Sequence, residues 1–477
     1  MDISYKRLGK NTVLVFIGKG GSALISLLML PLYTHWLSPG EYGTVDLITT
    51  YSTILLSIVS CCIADALFVV PKGAADEECK KYFSSGLCFV VVQFGLLSLI
   101  AAFFKFFGNT ESFIYCNLWD IVFLTASMLL ANITQQFSRT IDKMTVFSVA
   151  GILQTLSIAL LSILLIPKFG LPGYIDALIL SYFIVALFVF FASKLYCYLS
   201  IKQIQLSYIK TLIIYSLPLV PNSIMWWLVN GLNRPIMEAK LGLAALGLYA
   251  VAIRFPSLII SLCDVFMNAF SISMIEEYGK ETFQSFFNNT FRIIMFVVIL
   301  CSFFLTIFSS QIISLFADDS FYNAWELLPI LSLSSVFSCC STIVGGVFIA
   351  KKKSKYFFYS SIWGAGSSVL FTFVLISLWG ITGCAVATCI SFLIMYIVRL
   401  YYAWKDINGF DLVNNIANLL LLIVSIVFSL SGWSIVFKTL LYVLLILLFV
   451  LLNYSLIRIV ETKFVSFIWN IKSNHNR

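Results

Sequence analysis

Fourteen stretches of this chain are each long and apolar enough to cross a lipid bilayer, and that feature excludes most folds. They run near residues 11–33, 44–70, 83–107, 116–137, 146–167, 172–193, 210–233, 246–270, 291–316, 325–350, 358–380, 382–404, 414–436 and 438–460. At 1.5 Å per residue, each spans the ~30 Å of hydrocarbon as a helix. Lipid offers no hydrogen bonds, so a spanning backbone must satisfy itself within the helix. Composition agrees: 60% of the 477 residues are hydrophobic and 11% charged, whereas a soluble surface needs about a quarter charged. The expected class is an all-α integral membrane protein with about 14 transmembrane helices. A soluble enzyme, a nucleic-acid-binding protein and a secreted disulfide scaffold are excluded.

Loop charge sets the expected orientation. With the N-terminus inside, 23 Lys and Arg fall on inner segments, 5 on outer segments, and Lys19 and Arg254 inside helices. Arg139, Lys351 and Arg399 count among the inner ones. The asymmetry follows the positive-inside rule and places both termini in the cytoplasm. Lys6, Arg7 and Lys10 precede the first apolar run. That run is too long for a signal peptide and ends in no small-x-small site, so it reads as a retained helix.

The twelve cysteines lie mostly in apolar runs, without metal-ligand spacing, and the histidines are only His35 and His475. They read as packing residues, with no metal site and no cofactor. Gly18-Lys19-Gly20-Gly21-Ser22 lacks the spacer of a phosphate loop. No loop is long enough for a catalytic domain, so the chain is not expected to be an enzyme.

Polar residues inside the helices carry the functional signal. Arg254, Ser257, Ser261, Asp264, Asn268 and Ser271 recur at spacings of three and four, along one helical face. An offset of 204 residues relates Pro31 to Pro235, Leu37 to Leu241, Gly43 to Gly247 and Ser57 to Ser261. The same offset carries the stripe onto Thr50, Thr53, Ser57 and Ser60, which Asp46 extends outward. Lys19, Ser22 and Ser26 share a face of the first segment, matched by Ser223, Trp226 and Asn230 in the seventh. Six intervening helices preserve orientation, so the halves are expected to be parallel repeats. The corresponding division is 1–205, 206–405 and 406–477, the last holding two additional helices and a tail.

Lipid cannot satisfy such faces. Helices one, two, seven and eight are therefore expected to line a central cleft. Lys19 and Arg254 lie roughly 12 Å inside the bilayer, and together with Arg234, Asn222 and Asn230 are the candidate substrate ligands. Asp65, Asp264 and Asp46 are candidates for charge balance or ion coupling. The alternative pairs Lys19 with Asp65 and Arg254 with Asp264, and leaves Arg234 at the outer interface. Pro218 and Pro221, flanking Asn222, are expected to bend or break the seventh helix.

Ser216-Leu217-Pro218-Leu219-Val220-Pro221-Asn222-Ser223, Trp226-Trp227-Leu228-Val229-Asn230, Asn233-Arg234 and Leu246-Gly247-Leu248-Tyr249-Ala250 follow in order. With Leu30-Pro31-Leu32-Tyr33 and Leu37-Ser38-Pro39-Gly40-Glu41-Tyr42-Gly43, this resembles the polysaccharide transporter family, the Wzx-type O-antigen flippases. Asn233 stands where such families often have Asp. The resemblance spans about residues 5–405. It implies the fold of the multidrug/oligosaccharidyl-lipid/polysaccharide (MOP) exporter superfamily, with two six-helix lobes and two C-terminal helices. It further implies an undecaprenyl-pyrophosphate-linked oligosaccharide as substrate, carried across the bacterial inner membrane. O-antigen polymerase and chain-length machinery are implied partners. A cation-coupled multidrug exporter of the same superfamily is the alternative, and a polymerase or ligase acting on the same lipids a more distant one.

Overall fold

The structure, a computed structural model, describes residues 20–108, 112–351, 353, 355–407, 410–454, 456 and 458. Lys19 lies outside the described residues. In chain order the helices are α1 (residues 20–28), α2 (Leu30–Trp36), α3 (Pro39–Val59), α4 (Ile63–Val69), α5 (Asp76–Phe107), α6 (Phe113–Cys116), α7 (Leu118–Thr140), α8 (Met144–Phe169) and α9 (Leu171–Ala192). They continue as α10 (Leu206–Ser216), α11 (Leu219–Asn230), α12 (Asn233–Glu277), α13 (Phe283–Ile307), α14 (Ser309–Phe316), α15 (Leu327–Ala350), α16 (Lys355–Ala403), α17 (Leu412–Leu430) and α18 (Ile435–Leu452).

Ten helical stretches are long and apolar enough to cross a membrane among the described residues, two of them 49 residues long. Each long stretch holds two crossings. Gly242 (φ 81°) interrupts α12, and Gly380 (φ 57°) interrupts α16. With residues 20–36 and Val436–Leu452, every one of the fourteen predicted spans has a helical counterpart. The protein is a multi-pass, all-α membrane protein. Its two ends are called outer and inner according to loop charge.

Breaks divide several spans. α10 and α11 part at Leu217-Pro218, as the prolines predict. The second span also breaks, which nothing in its composition announces: Cys61 and Cys62 adopt left-handed φ of 48° and 54° between α3 and α4. Non-glycine residues there cost roughly 1–2 kcal/mol each, so packing must hold the joint. The two broken spans meet where they break, with Cys62 Sγ 3.5 Å from Ser223 Oγ. All twelve cysteines are free thiols.

Two local geometries occur twice. Ser38 caps α3: its hydroxyl accepts from the Glu41 N–H, and the Glu41 carboxylate accepts from the Ser38 N–H at 2.9 Å. Five residues into α3, a Cβ on Gly43 would strike the Leu243 carbonyl and the Gly247 nitrogen. A Cβ on Gly247 would strike the Pro39 carbonyl. Residues 39 and 43 thus meet 243 and 247 reciprocally, as a two-fold relation at the offset of 204 requires. The tight turns at Gly170 (φ 60°, ψ −133°) and Gly380 (φ 57°, ψ −132°) are a second match, at an offset of 210. In both, the glycine three positions later (Gly173, Gly383) packs on the carbonyl of the preceding helix, Leu165 or Leu375. Glycine is the residue suited to both this pairing of positive φ with strongly negative ψ and the close approach. The halves are therefore parallel repeats about an axis along the bundle.

Two interactions tie together the inner end of the second half. Lys351 Nζ donates to both Asp406 oxygens (3.0 and 2.8 Å), and Tyr278 Oη donates to the same carboxylate at 3.0 Å. Donating to the Asp406 carboxylate raises the Lys351 ammonium pKa above its ordinary range. Between α17 and α18, buried Asn418 and Asn453 exchange side-chain amide hydrogen bonds.

Arg399, counted among loop charges, is 1% exposed inside α16. Its guanidinium donates to Ser360 Oγ (3.0 Å) and the Ser341 carbonyl (2.9 Å) and stacks on Phe357. Arg139 belongs to the last turn of α7, over the Phe68 and Phe147 rings. These two residues are therefore helix residues and drop out of the loop count.

Candidate functional site

The outer halves of α3 and α12 come together through the small faces of Gly43 and Gly247. Close approach there brings charged residues of the two halves together. Arg234 Nε donates to Asp46 Oδ2 at 2.6 Å, with the two side chains 13% and 15% exposed. Arg234 also donates to the Asn230 carbonyl. This is an interhelical ion pair inside the bundle and not the outer-interface residue that sequence position suggested. Trp227 Nε1 donates to the Thr50 carbonyl at 3.0 Å, linking α11 to α3. The Asp318 N–H donates to Thr34 Oγ1 at 3.2 Å, drawing the 317–326 connection over α2. Among the described residues, the outer end is closed.

Beneath that closure lies a cavity of about 190 Å³. Arg254, Asp46 and four tyrosines, Tyr33, Tyr42, Tyr174 and Tyr182, lie on its wall. Arg254 Nε donates to Tyr42 Oη at 3.2 Å. Its two terminal nitrogens have no hydrogen-bond partner among the described residues, so the planar fork remains available. Tyr33 and Tyr174 stack with centroids 4.7 Å apart, fixing their ring positions. Asp46 is held by Arg234, which lies outside the cavity wall, so the carboxylate of the wall is already paired and Arg254 is its cation. A cationic fork beside phenol hydroxyls suits an anion with several oxygens.

The α12 stripe is the accessible face that its spacing predicts. Arg254 and Asp264 are exposed toward it, and Ser257, Ser261 and Ser271 are half-buried. The three serine hydroxyls donate to carbonyls of their own helix. On α3, Thr50, Thr53 and Ser60 do likewise. Each stripe therefore tolerates either water or a partner helix, as a cleft that opens and closes requires.

The remaining candidates scatter. Arg254 cannot pair with Asp264, which lies ten residues further along α12, about 15 Å away. Asp65 faces α7, where Gln136 Nε2 is 3.5 Å from its carboxylate and Arg139 is close enough to act as countercharge. Asn222 is half-buried, and Asn230 donates back to the Trp226 carbonyl at 2.9 Å. Neither lines the Arg254 cavity. Asn233 is buried in hydrogen bonds to Tyr249 (2.8 Å) and Thr388 (3.2 Å).

The expected lining by helices one, two, seven and eight needs correction. The first, second and eighth spans contribute, but α8 and α9 stand where the seventh was expected, through Thr155, Tyr174 and Tyr182. The seventh span instead seals against α3. Two signals for the missing residues existed: Tyr174 and Tyr182 are eight apart on one face of α9, and Asn132, Gln135, Gln136 and Arg139 form a stripe on α7 at spacings of three and four. Amides and tyrosines in apolar runs draw less notice than charges.

The ion pair makes a prediction. Asp46→Asn leaves Arg234 uncompensated in the closed outer end, whereas opening would hydrate it. Breaking such a pair costs about 3–5 kcal/mol, enough to shift the population by more than a hundredfold toward an open outer end. In a background free of the twelve native cysteines, a cysteine at Thr49 should then react at least about tenfold faster with impermeant maleimide added outside.

The family of polysaccharide biosynthesis proteins matches residues 8–259, just over half of the chain, and the MatE family matches residues 231–374. No curated protein matches the chain. Among solved structures, the chain is similar to the lipid II flippase MurJ in an inward closed conformation, at 16% identity and a TM-score of 0.67, covering 94% of this chain and 99% of that one. It is similar to an inward-facing multidrug resistance MATE family transporter of the MOP superfamily, at 16% identity and a TM-score of 0.64, covering 84% and 95%. A MOP superfamily transporter from Pyrococcus furiosus Vc1, whose binding pocket has reverse polarity, aligns at 16% identity with a TM-score of 0.57, covering 84% and 96%. With a family match over more than half of its length, on a fold shared with these solved structures, the chain belongs to the polysaccharide biosynthesis protein family.

Proposed function

We propose that this protein is an alternating-access flippase for an undecaprenyl-pyrophosphate-linked oligosaccharide, an O-antigen or capsule repeat unit. It moves its substrate from the cytoplasmic to the periplasmic leaflet of the bacterial inner membrane, with both termini in the cytoplasm. The observation that carries this reading is the guanidinium fork of Arg254, its terminal nitrogens unengaged among the described residues, in a tyrosine-lined cavity whose carboxylate is already paired. A diphosphate needs such donors to replace its water. Lys19, about two turns into the first apolar run of the sequence, is its proposed partner from the first helix. Asp65 and Asp264 serve charge balance when the site empties. O-antigen polymerase and chain-length machinery take the product.

The multidrug alternative needs a carboxylate able to attract a cationic drug. Asp46, the carboxylate of the cavity, is bound to Arg234, which weighs against it. The test is a deletion strain. Loss of surface polysaccharide, with lipid-linked oligosaccharide accumulating on the cytoplasmic face and drug sensitivity unchanged, is the expected result. Normal polysaccharide with heightened sensitivity to cationic drugs would replace this reading with the alternative.

A further inference from the structure

A second cavity, of about 280 Å³, adjoins the first and has a different chemistry. Its polar wall is the α7 stripe of Asn132, Gln135 and Gln136; Phe147 and Tyr182 flank it. Tyr182 also lines the Arg254 cavity, so the two spaces share one aromatic wall. Three neutral amides converge here, and the Asn132 side-chain oxygen is buried without a hydrogen-bond partner among the described residues. A buried acceptor without a donor is unfavourable, so the wall suits a ligand that brings hydroxyl or amide hydrogens.

Charge is kept behind this wall. Gln136 Oε1 accepts from Arg139 at 2.8 Å, and its amide nitrogen lies 3.5 Å from Asp65. Cation and carboxylate therefore offset each other on the far side of Gln136, which presents a neutral surface. Side-chain amides offer donor and acceptor together and pair with vicinal hydroxyls. Phe147 and Tyr182 supply faces against which the C–H side of a sugar ring can pack. An anion would gain little here, and an acyl chain would leave the amides unsatisfied.

Resting on the flippase reading above, we propose that the amide-lined cavity is a sugar subsite. It binds the uncharged, hydroxyl-rich sugar next to the diphosphate while Arg254 binds the diphosphate itself. The headgroup is thus recognised in two parts on either side of Tyr182, and Asn132, Gln135 and Gln136 determine specificity for the sugar.

The test uses the full-length protein in lipid nanodiscs with two probes, farnesyl pyrophosphate and farnesyl-pyrophosphoryl-N-acetylglucosamine. The native protein should bind the glycosylated probe at least about tenfold more tightly, the scale of a site built to hydrogen-bond its ligand. Asn132→Leu combined with Gln135→Leu should erase that difference and leave affinity for the bare probe unchanged, which also shows that the variant is folded. Gln135→Glu preserves volume and loses the amide donor, so it decides the matter if the leucine variant does not fold; it should reduce the difference at least about threefold. A sugar-dependent difference that survives these changes, or is absent from the native protein, overturns the subsite and leaves the flippase reading intact. Failure of the native protein to bind either probe overturns both.

Discussion

Gly247→Val is expected to abolish polysaccharide export while the protein still accumulates in the membrane. The Gly247 Cα faces the Pro39 carbonyl, and Gly43 faces the backbone at Leu243 and Gly247. Side chains can change rotamer to relieve a clash, but helical backbone cannot, so α3 and α12 must separate. Overpacking costs about 1–3 kcal/mol when side chains can yield, and more where only backbone is available. Each 1.4 kcal/mol shifts a two-state equilibrium tenfold, so the outer-closed form should lose at least about a hundredfold in population. Gly43→Ala acts on the same contact from its other side. Combined with Gly247→Ala, it should cost less than the sum, because one separation relieves both clashes. Gly366→Ala, with open space around its Cβ, is the control and should export normally. Surface polysaccharide and outside labelling of a cysteine at Thr49 are the measurements. Normal export by Gly247→Val would show that this contact is not part of the cycle.

Arg254→Ala is the second large effect. It removes the guanidinium whose terminal nitrogens have no partner among the described residues and leaves Tyr42 without its donor. Truncating one member of a desolvated charge pair costs about 2–5 kcal/mol, which corresponds to at least about thirtyfold weaker binding of a prenyl pyrophosphate probe. Arg254→Lys retains the charge but not the planar fork, so it should recover part of the affinity. Stability should change little, because Arg254 holds no carboxylate within hydrogen-bond distance among the described residues. Binding and surface polysaccharide are the readouts, with the melting temperature as control. Undiminished binding by Arg254→Ala would remove this residue from the substrate site.

The effects of Asp46→Asn and Gly247→Val should also agree in direction. One removes the electrostatic part of the outer closure and the other its steric part, so each should make the cavity more reachable from outside. Arg254→Ala should leave that accessibility nearly unchanged, which separates closure from binding.

Much of the architecture was legible in the apolar runs. Lipid imposes self-satisfied helices, so run length alone yields the span count, and the prolines at 218 and 221 announce the break between α10 and α11. The offset of 204 was visible at Gly43 and Gly247 because close backbone approach restricts both positions to glycine. The offset of 210 was equally present in Gly170 and Gly173 against Gly380 and Gly383, but two glycines in a short turn are too common to stand out. The αL joint at Cys61 and Cys62 left no mark, because no residue type there demands it.

For the site, spacing along a helix identified Arg254 and its serines as one face, because helical periodicity is local. Partners are not local. Arg254 meets Tyr42 across 212 residues, Arg234 meets Asp46 across 188, and Asp65 lies against Gln136 across 71. The amino-acid sequence by itself determined that this protein crosses the membrane fourteen times and turns polar faces inward, since the bilayer penalises any other arrangement. Which of those faces meet was decided only by tertiary packing. The backbone contact at Gly43 and Gly247 sets the distance between the two repeats, and that distance commits Asp46 to Arg234 and leaves the fork of Arg254 open.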